Sequence, residues 1–143
     1  MSPRIASVFL LLSGLLLLGI GGGILLMPQA FHASNGIVLG SDPSLLSEVR
    51  APGGLLAASA VVILLGVFRS SSRPLAMTLS ILVYGSFGLA RLLAFALDGL
   101  PSTGLVAATT IELTVAVVGL VLVRRSHPAS AGADPRPLAP ATR

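Results

Sequence analysis

"GSFGLARLLAFALDGLPSTGLVAATTIEL", residues 85–113, carries two charges inside otherwise apolar sequence, Arg91 and Glu112, on either side of an Asp98-Gly99-Leu100-Pro101 break. The break ends one apolar run and another begins at Gly104, so the segment reads as two helices joined by a turn short enough to force an antiparallel hairpin. Counting inward from the turn gives the depth of each charge. Arg91 lies seven residues before Asp98, about 10 Å along a helix, and Glu112 lies nine residues after Thr103, about 13 Å. A charge at the centre of a membrane-spanning helix costs roughly 2.5–3.5 kcal/mol, and two opposite charges at nearly equal depth on neighbouring helices are best accounted for if they meet. The sequence therefore predicts an Arg91–Glu112 pair.

Working outward, a bilayer core requires about 20 apolar residues per helix. Four runs answer to that requirement: Ile5 to Met27, Gly53 to Phe68, Leu75 to Leu97 and Gly104 to Val123. The second run has sixteen residues, only about 24 Å, and must extend into the preceding "SEVRAP" to span. The expected architecture is an all-α membrane protein, an antiparallel four-transmembrane-helix bundle with helices at about 5–27, 48–68, 75–97 and 104–123. Composition agrees, since 54% hydrophobic and 10% charged residues leave too little polar surface to cover a soluble globule. The first run exceeds the usual length of a signal-peptide core and "PQAFHAS" is a poor cleavage site, so it is read as an uncleaved helix.

The arginines orient the spans. Arg4, Arg69, Arg73, Arg124 and Arg125 fall on one side, whereas Asp42, Glu48, Arg50 and Asp98 fall on the other, which places both termini in the cytoplasm. The last segment, 126–143, is rich in Pro, Ala and Ser without apolar periodicity and reads as a disordered cytoplasmic tail. The longest connection, from Pro28 to about Glu48, lies outside. Within it Asp42 stands where a helix N-cap belongs and Pro43 at the first helical position, so a short outer helix should lead into the second span through Pro52.

Helical spacing assigns the inward faces. Tyr84, Gly88, Arg91, Phe95 and Asp98 form one stripe on the third span, and Ala108, Glu112, Ala116 and Gly119 the matching stripe on the fourth. On the second span the stripe is Arg50, Gly54, Ala57 and Val61, and on the first Gly19 and Gly23 stand in GxxxG spacing, which lets backbones approach. "SEVRAPGG" at the start of the second span, "GLARLLAFALDGLPS" closing the third and a glutamate in the middle of the fourth together resemble the small bacterial membrane proteins grouped as domain-of-unknown-function family 4345. The likeness covers about residues 5–125. It implies four transmembrane helices in a bacterial inner membrane and brings no established activity.

Several function classes are excluded or disfavoured. No Cys is present, which removes disulfides, thiol chemistry, haem attachment and cysteine metal sites. The net charge of +4 comes from nine arginines scattered between apolar runs rather than from one basic face, so nucleic acid is not an expected partner. His32 and His127 have no second metal-type neighbour at useful spacing, and neither a metal nor another cofactor is expected. The "GIGGG" run at Gly19 to Gly23 lies mid-span without a following Lys-Ser/Thr and reads as packing or a local bend. No nucleophile stands beside a base, so an enzyme is not expected.

The candidate polar cluster is Glu48, Arg50, Tyr84, Arg91, Asp98 and Glu112, with no catalytic residue among them. Glu48 and Arg50 are also explained as interfacial side chains that snorkel, Asp98 as the cap of the DG turn, and the Arg91–Glu112 pair either as a structural ion pair or as a ligand or proton site. Three functions follow. The first is an interaction or accessory subunit working with a membrane-protein partner or as a homo-oligomer. The second is a binding protein for a lipid or small anionic amphiphile, with Arg50 and Arg91 facing the head and Tyr84, Phe87 and Phe95 lining an outer pocket. The third, a proton or ion path, is disfavoured because the inner halves of the runs contain no ionisable residue to continue it.

Overall fold

The computed structural model describes residues 2–126, and the expected tail at 126–143 lies, but for Ser126, outside the described residues. Five α-helices follow one another: α1 (Pro3–Leu26), α2 (Pro28–Ala33), α3 (Pro43–Phe68), α4 (Arg73–Asp98) and α5 (Thr103–Ser126), with one 3-10 turn at Ser70–Ser72 between α3 and α4. Among the described residues the regular structure is all helical. Four helices are long and apolar enough to cross a membrane, the 24 residues of α1 rising about 36 Å against a hydrocarbon core of about 30 Å. Leu12, Leu55, Leu82, Leu89 and Val117, from all four, are more than half exposed, an apolar surface that a soluble monomer rarely presents.

Local chemistry explains the helix ends. The Asp42 carboxylate accepts a hydrogen bond from the Leu45 backbone N–H at 2.8 Å and Pro43 opens the helix, as an N-cap and first position should. The helix so started does not stop at Pro52. It runs unbroken to Phe68, so the second long helix begins at Pro43 and the short helix expected before it is its first part. Pro52 leaves the Glu48 carbonyl without its helical donor. Glu48 is exposed, so that carbonyl is where water or headgroups can reach it.

The connection between α1 and α3 also holds α2, a six-residue helix absent from the expectation. Pro28 starts it, and Gly36, at φ 78°, ends it in the left-handed conformation that favours glycine. The Gly36 N–H donates to the Ala33 carbonyl and the Ile37 N–H to the His32 carbonyl.

Packing is pairwise. α1 lies mainly against α3 and α4 mainly against α5, with α3 and α4 joining the pairs. Leu10 and Leu17 of α1, Leu56, Ala60 and Ile63 of α3, and Met77 and Tyr84 of α4 form the buried core. Two of the expected faces are corrected. On α3 the buried positions are Gly53, Leu56, Ser59, Ala60, Ile63 and Gly66, one position displaced from the stripe through Gly54, Ala57 and Val61; Val61 is half exposed. On α1 the close approach is made by Gly21, where an added Cβ would stand 2.5 Å from the Ala57 nitrogen and 2.9 Å from the Gly53 carbonyl oxygen. Gly19 faces open space. At the end of the protein where α1 starts, Arg73 donates from Nε to the Gly66 carbonyl at 3.4 Å and from Nη2 to Ser7 Oγ at 3.2 Å, joining three helices.

Candidate functional site

The expected stripes on α4 and α5 carry the site. Tyr84 and Gly88 are buried on α4, and Glu112 and Gly119 on α5. Gly88, one turn before Arg91, has no room for a side chain, because a Cβ there would meet Leu113 Cδ2 at 2.7 Å. Its missing side chain lets α5 come close enough for the charges to meet. Arg91 Nε donates to both Glu112 oxygens, at 3.2 Å to Oε1 and 3.1 Å to Oε2, and so forms the predicted ion pair. The Glu112 side chain is 9% exposed and that of Arg91 31%. Arg91 uses a single nitrogen, and Nη1 and Nη2 make no hydrogen bond to any described residue.

Beside the pair lies a cavity of about 210 Å³. α1 contributes Leu17, Ile20 and Ile24, α3 contributes Leu56, and α4 contributes Val83, Tyr84, Phe87 and Arg91. Leu105, Ala108 and Glu112 of α5 complete the wall. Phe31 and His32 of α2, with Asn35 and Ile37 after it, line the cavity as well. Its polar groups are mostly committed. The Tyr84 hydroxyl donates to the Ser13 carbonyl at 2.7 Å, His32 Nδ1 is 2.8 Å from the Pro28 carbonyl, and Asn35 Nδ2 donates to the Phe31 carbonyl at 3.4 Å. The remainder of the wall is aliphatic and aromatic.

Of the six candidate residues the structure brings three together: Tyr84, Arg91 and Glu112. Arg50 lies elsewhere. Its Nη1 donates to the Leu25 carbonyl and, at 3.4 Å, to that of Leu26, so it caps the end of α1, where helical carbonyls lack donors and the dipole favours a cation. It borders a wide, open groove with Pro43, Leu46 and Ser47 instead of the cavity beside Arg91. Glu48 is exposed on α3, and Asp98 is exposed as the last residue of α4. Phe87 lines the cavity as expected and Phe95 does not. Among the described residues no three His, Asp or Glu side chains gather as a metal site would require.

Four lining residues from the connection between α1 and α3, Phe31, His32, Asn35 and Ile37, were missed by sequence reasoning. A signal existed: Pro28 as a helix start, Asn35-Gly36 as its stop, and His32 and Asn35 three apart on one face. Leu17, Ile20 and Ile24 likewise recur at helical spacing, yet nothing distinguishes them from ordinary core positions.

The family model described as "Domain of unknown function (DUF4345)" matches residues 5–123, most of the chain, and the protein belongs to that family. No curated protein and no solved structure matches.

Proposed function

We propose that this member of the DUF4345 family is a membrane-embedded binding protein that receives a lipid or small amphiphile in the cavity beside the Arg91–Glu112 pair. One observation carries the reading: about 210 Å³ of space is walled by aliphatic and aromatic side chains and bordered by an arginine with two unused terminal nitrogens. Ligand sites typically combine such an apolar wall with a few convergent polar groups. An apolar cavity of about 150 Å³ already takes a benzene-sized molecule, so this one accepts a head with a short apolar body. A tight staple between helices would leave no such space.

The architecture proposed around the cavity is an antiparallel four-helix bundle in a bacterial inner membrane, with N and C termini cytoplasmic. Arg4, Arg69, Arg73, Arg124 and Arg125 stand at or beside the ends of the four long helices, and the bonds from Arg73 to Ser7 and Gly66 draw three of those ends together, which supports a common cytoplasmic side. The cavity then belongs to the outer half, beneath α2 and the α4–α5 turn. An accessory-subunit role drew its support from small-residue faces available to a partner helix. Gly21, Gly53 and Gly88 are occupied by packing within the chain, whereas Gly19 and Gly22 face open space, so the preference for the binding reading rests on the cavity.

The test is to purify the protein in a mild detergent and identify co-purifying amphiphiles by native mass spectrometry, alongside Ala108→Phe, which fills the cavity from its α5 wall. A bound amphiphile on the wild type that Ala108→Phe loses, at unchanged helicity, is expected. Equal occupancy in the two, or none in the wild type, overturns the proposal.

A further inference from the structure

The unused hydrogen-bonding groups around the cavity define the head of its occupant. Tyr84 Oη is committed to the Ser13 carbonyl, both Glu112 oxygens accept from Arg91 Nε, and His32 Nδ1 is held by the Pro28 carbonyl. What remains on Arg91 is donor capacity: Nη1 and Nη2 carry four N–H groups and make no hydrogen bond to a described residue. An occupant seated against Arg91 must therefore bring an acceptor; Asn35 Oδ1 and His32 Nε2, on the same wall, likewise make no hydrogen bond to a described residue.

Charge decides which acceptor. The cavity wall contains one guanidinium and one carboxylate, and these already neutralise each other at 3.1 Å. A carboxylate or phosphate head would add a second anion beside Glu112 that the wall could balance only by protonating His32, in surroundings where like charges repel far more strongly than in water. An uncharged oxygen satisfies the Nη donors without that cost. Building on the binding reading above, we infer that the ligand is a neutral amphiphile whose ester, amide or ketone carbonyl oxygen accepts from Arg91, with its apolar body against Leu17, Ile20, Leu56, Val83 and Phe87. This departs from the anionic head expected from the sequence, which counted Arg50 as a second cation on the same pocket; Arg50 is instead bonded to the end of α1.

The experiment compares three probes of one chain length on the full protein in maltoside micelles: methyl decanoate, decanoate and decane, titrated with native mass spectrometry as readout. A hydrogen bond to a charged donor predicts that the ester binds about tenfold or more tightly than decane, and the charge balance predicts that it also outcompetes decanoate. In the double variant Arg91→Leu/Glu112→Leu the preference for ester over decane should vanish. The wild-type ranking stands as a test even if that variant does not fold. Tighter binding of decanoate overturns the neutral head and leaves the binding reading intact. Equal binding of ester and decane overturns head recognition by Arg91. Binding of none of the three overturns the binding reading itself and this inference with it.

Discussion

Removing one member of the Arg91–Glu112 pair should not cost the same as removing the other. Arg91→Leu strands the Glu112 carboxylate, whose side chain is 9% exposed and which loses both of its hydrogen bonds from Nε. An uncompensated charge at this depth costs roughly 2.5–3.5 kcal/mol, and breaking buried pairs in soluble proteins costs about 3–5 kcal/mol, so a loss near 3 kcal/mol is expected. Glu112→Leu strands Arg91 instead. That side chain is 31% exposed, lies about 10 Å from the end of its helix and can extend its long stem toward the interface, so its loss should be about 1–2 kcal/mol. The double variant Arg91→Leu/Glu112→Leu removes both charges and places two leucines beside an existing cavity, where they need not overpack. It should recover most of the loss, giving a coupling energy of about 3 kcal/mol. The assay is reversible unfolding in mixed micelles, followed by circular dichroism for the four proteins of the cycle. Effects that add within about 0.5 kcal/mol refute the pair as an energetic unit. A costlier Glu112→Leu than Arg91→Leu refutes the assignment of the carboxylate as the more deeply committed partner.

Asp42→Ala should cost about 1 kcal/mol and speed amide exchange over residues 43–50, because it removes the cap at Leu45; unchanged exchange would show that the cap contributes nothing. Gly21→Val should separate α1 from α3 and sharply lower the unfolding temperature, whereas Gly19→Val, facing open space, should be tolerated; similar behaviour of the two would contradict the packing of α1. Tyr84→Phe should cost about 1 kcal/mol by deleting the bond to the Ser13 carbonyl, read in the same micelle titration, and a neutral result would deny that bond any energetic weight. Reporter fusions after Ser71 and Arg125 should report the cytoplasm and those near Asp42 and Ser102 the outside; Asp42 on the cytoplasmic side would reverse the orientation.

The sequence made the spans and the ion pair legible for different reasons. Apolar runs near bilayer length are a strong signal because every residue contributes to it, and a charge inside such a run requires a partner wherever the chain goes. The turn at Asp98-Gly99 then converted sequence distance into depth, which is why Arg91 and Glu112 could be matched. Faces were harder. On α3 nearly all residues are apolar or small, so periodicity cannot choose between Gly53/Leu56/Ala60 and Gly54/Ala57/Val61; the choice is made by Gly21 on another helix, which must meet backbone at Gly53 and Ala57. The same is true of Arg50. Its sequence neighbours suggested a companion for Arg91, and only the position of the end of α1 shows that two free carbonyls claim it.

The cavity supplies the strongest physical reason to read the pair as more than a staple. A space of about 210 Å³ beside the pair leaves the side chains around it without partners on that side, so packing contacts are forgone there. A chain selected only to hold α4 against α5 could recover part of that by a larger residue at Ala108, which lines the space. Keeping Ala108 small is understandable if something else fills the space. Ala108→Phe therefore distinguishes stability from function in one substitution: in the ligand-free protein it should raise the unfolding temperature while abolishing retention of the amphiphile. A lowered temperature would mean that the wall cannot accept a ring and that the void is a consequence of strain, and a raised temperature with binding retained would move the ligand away from the cavity altogether.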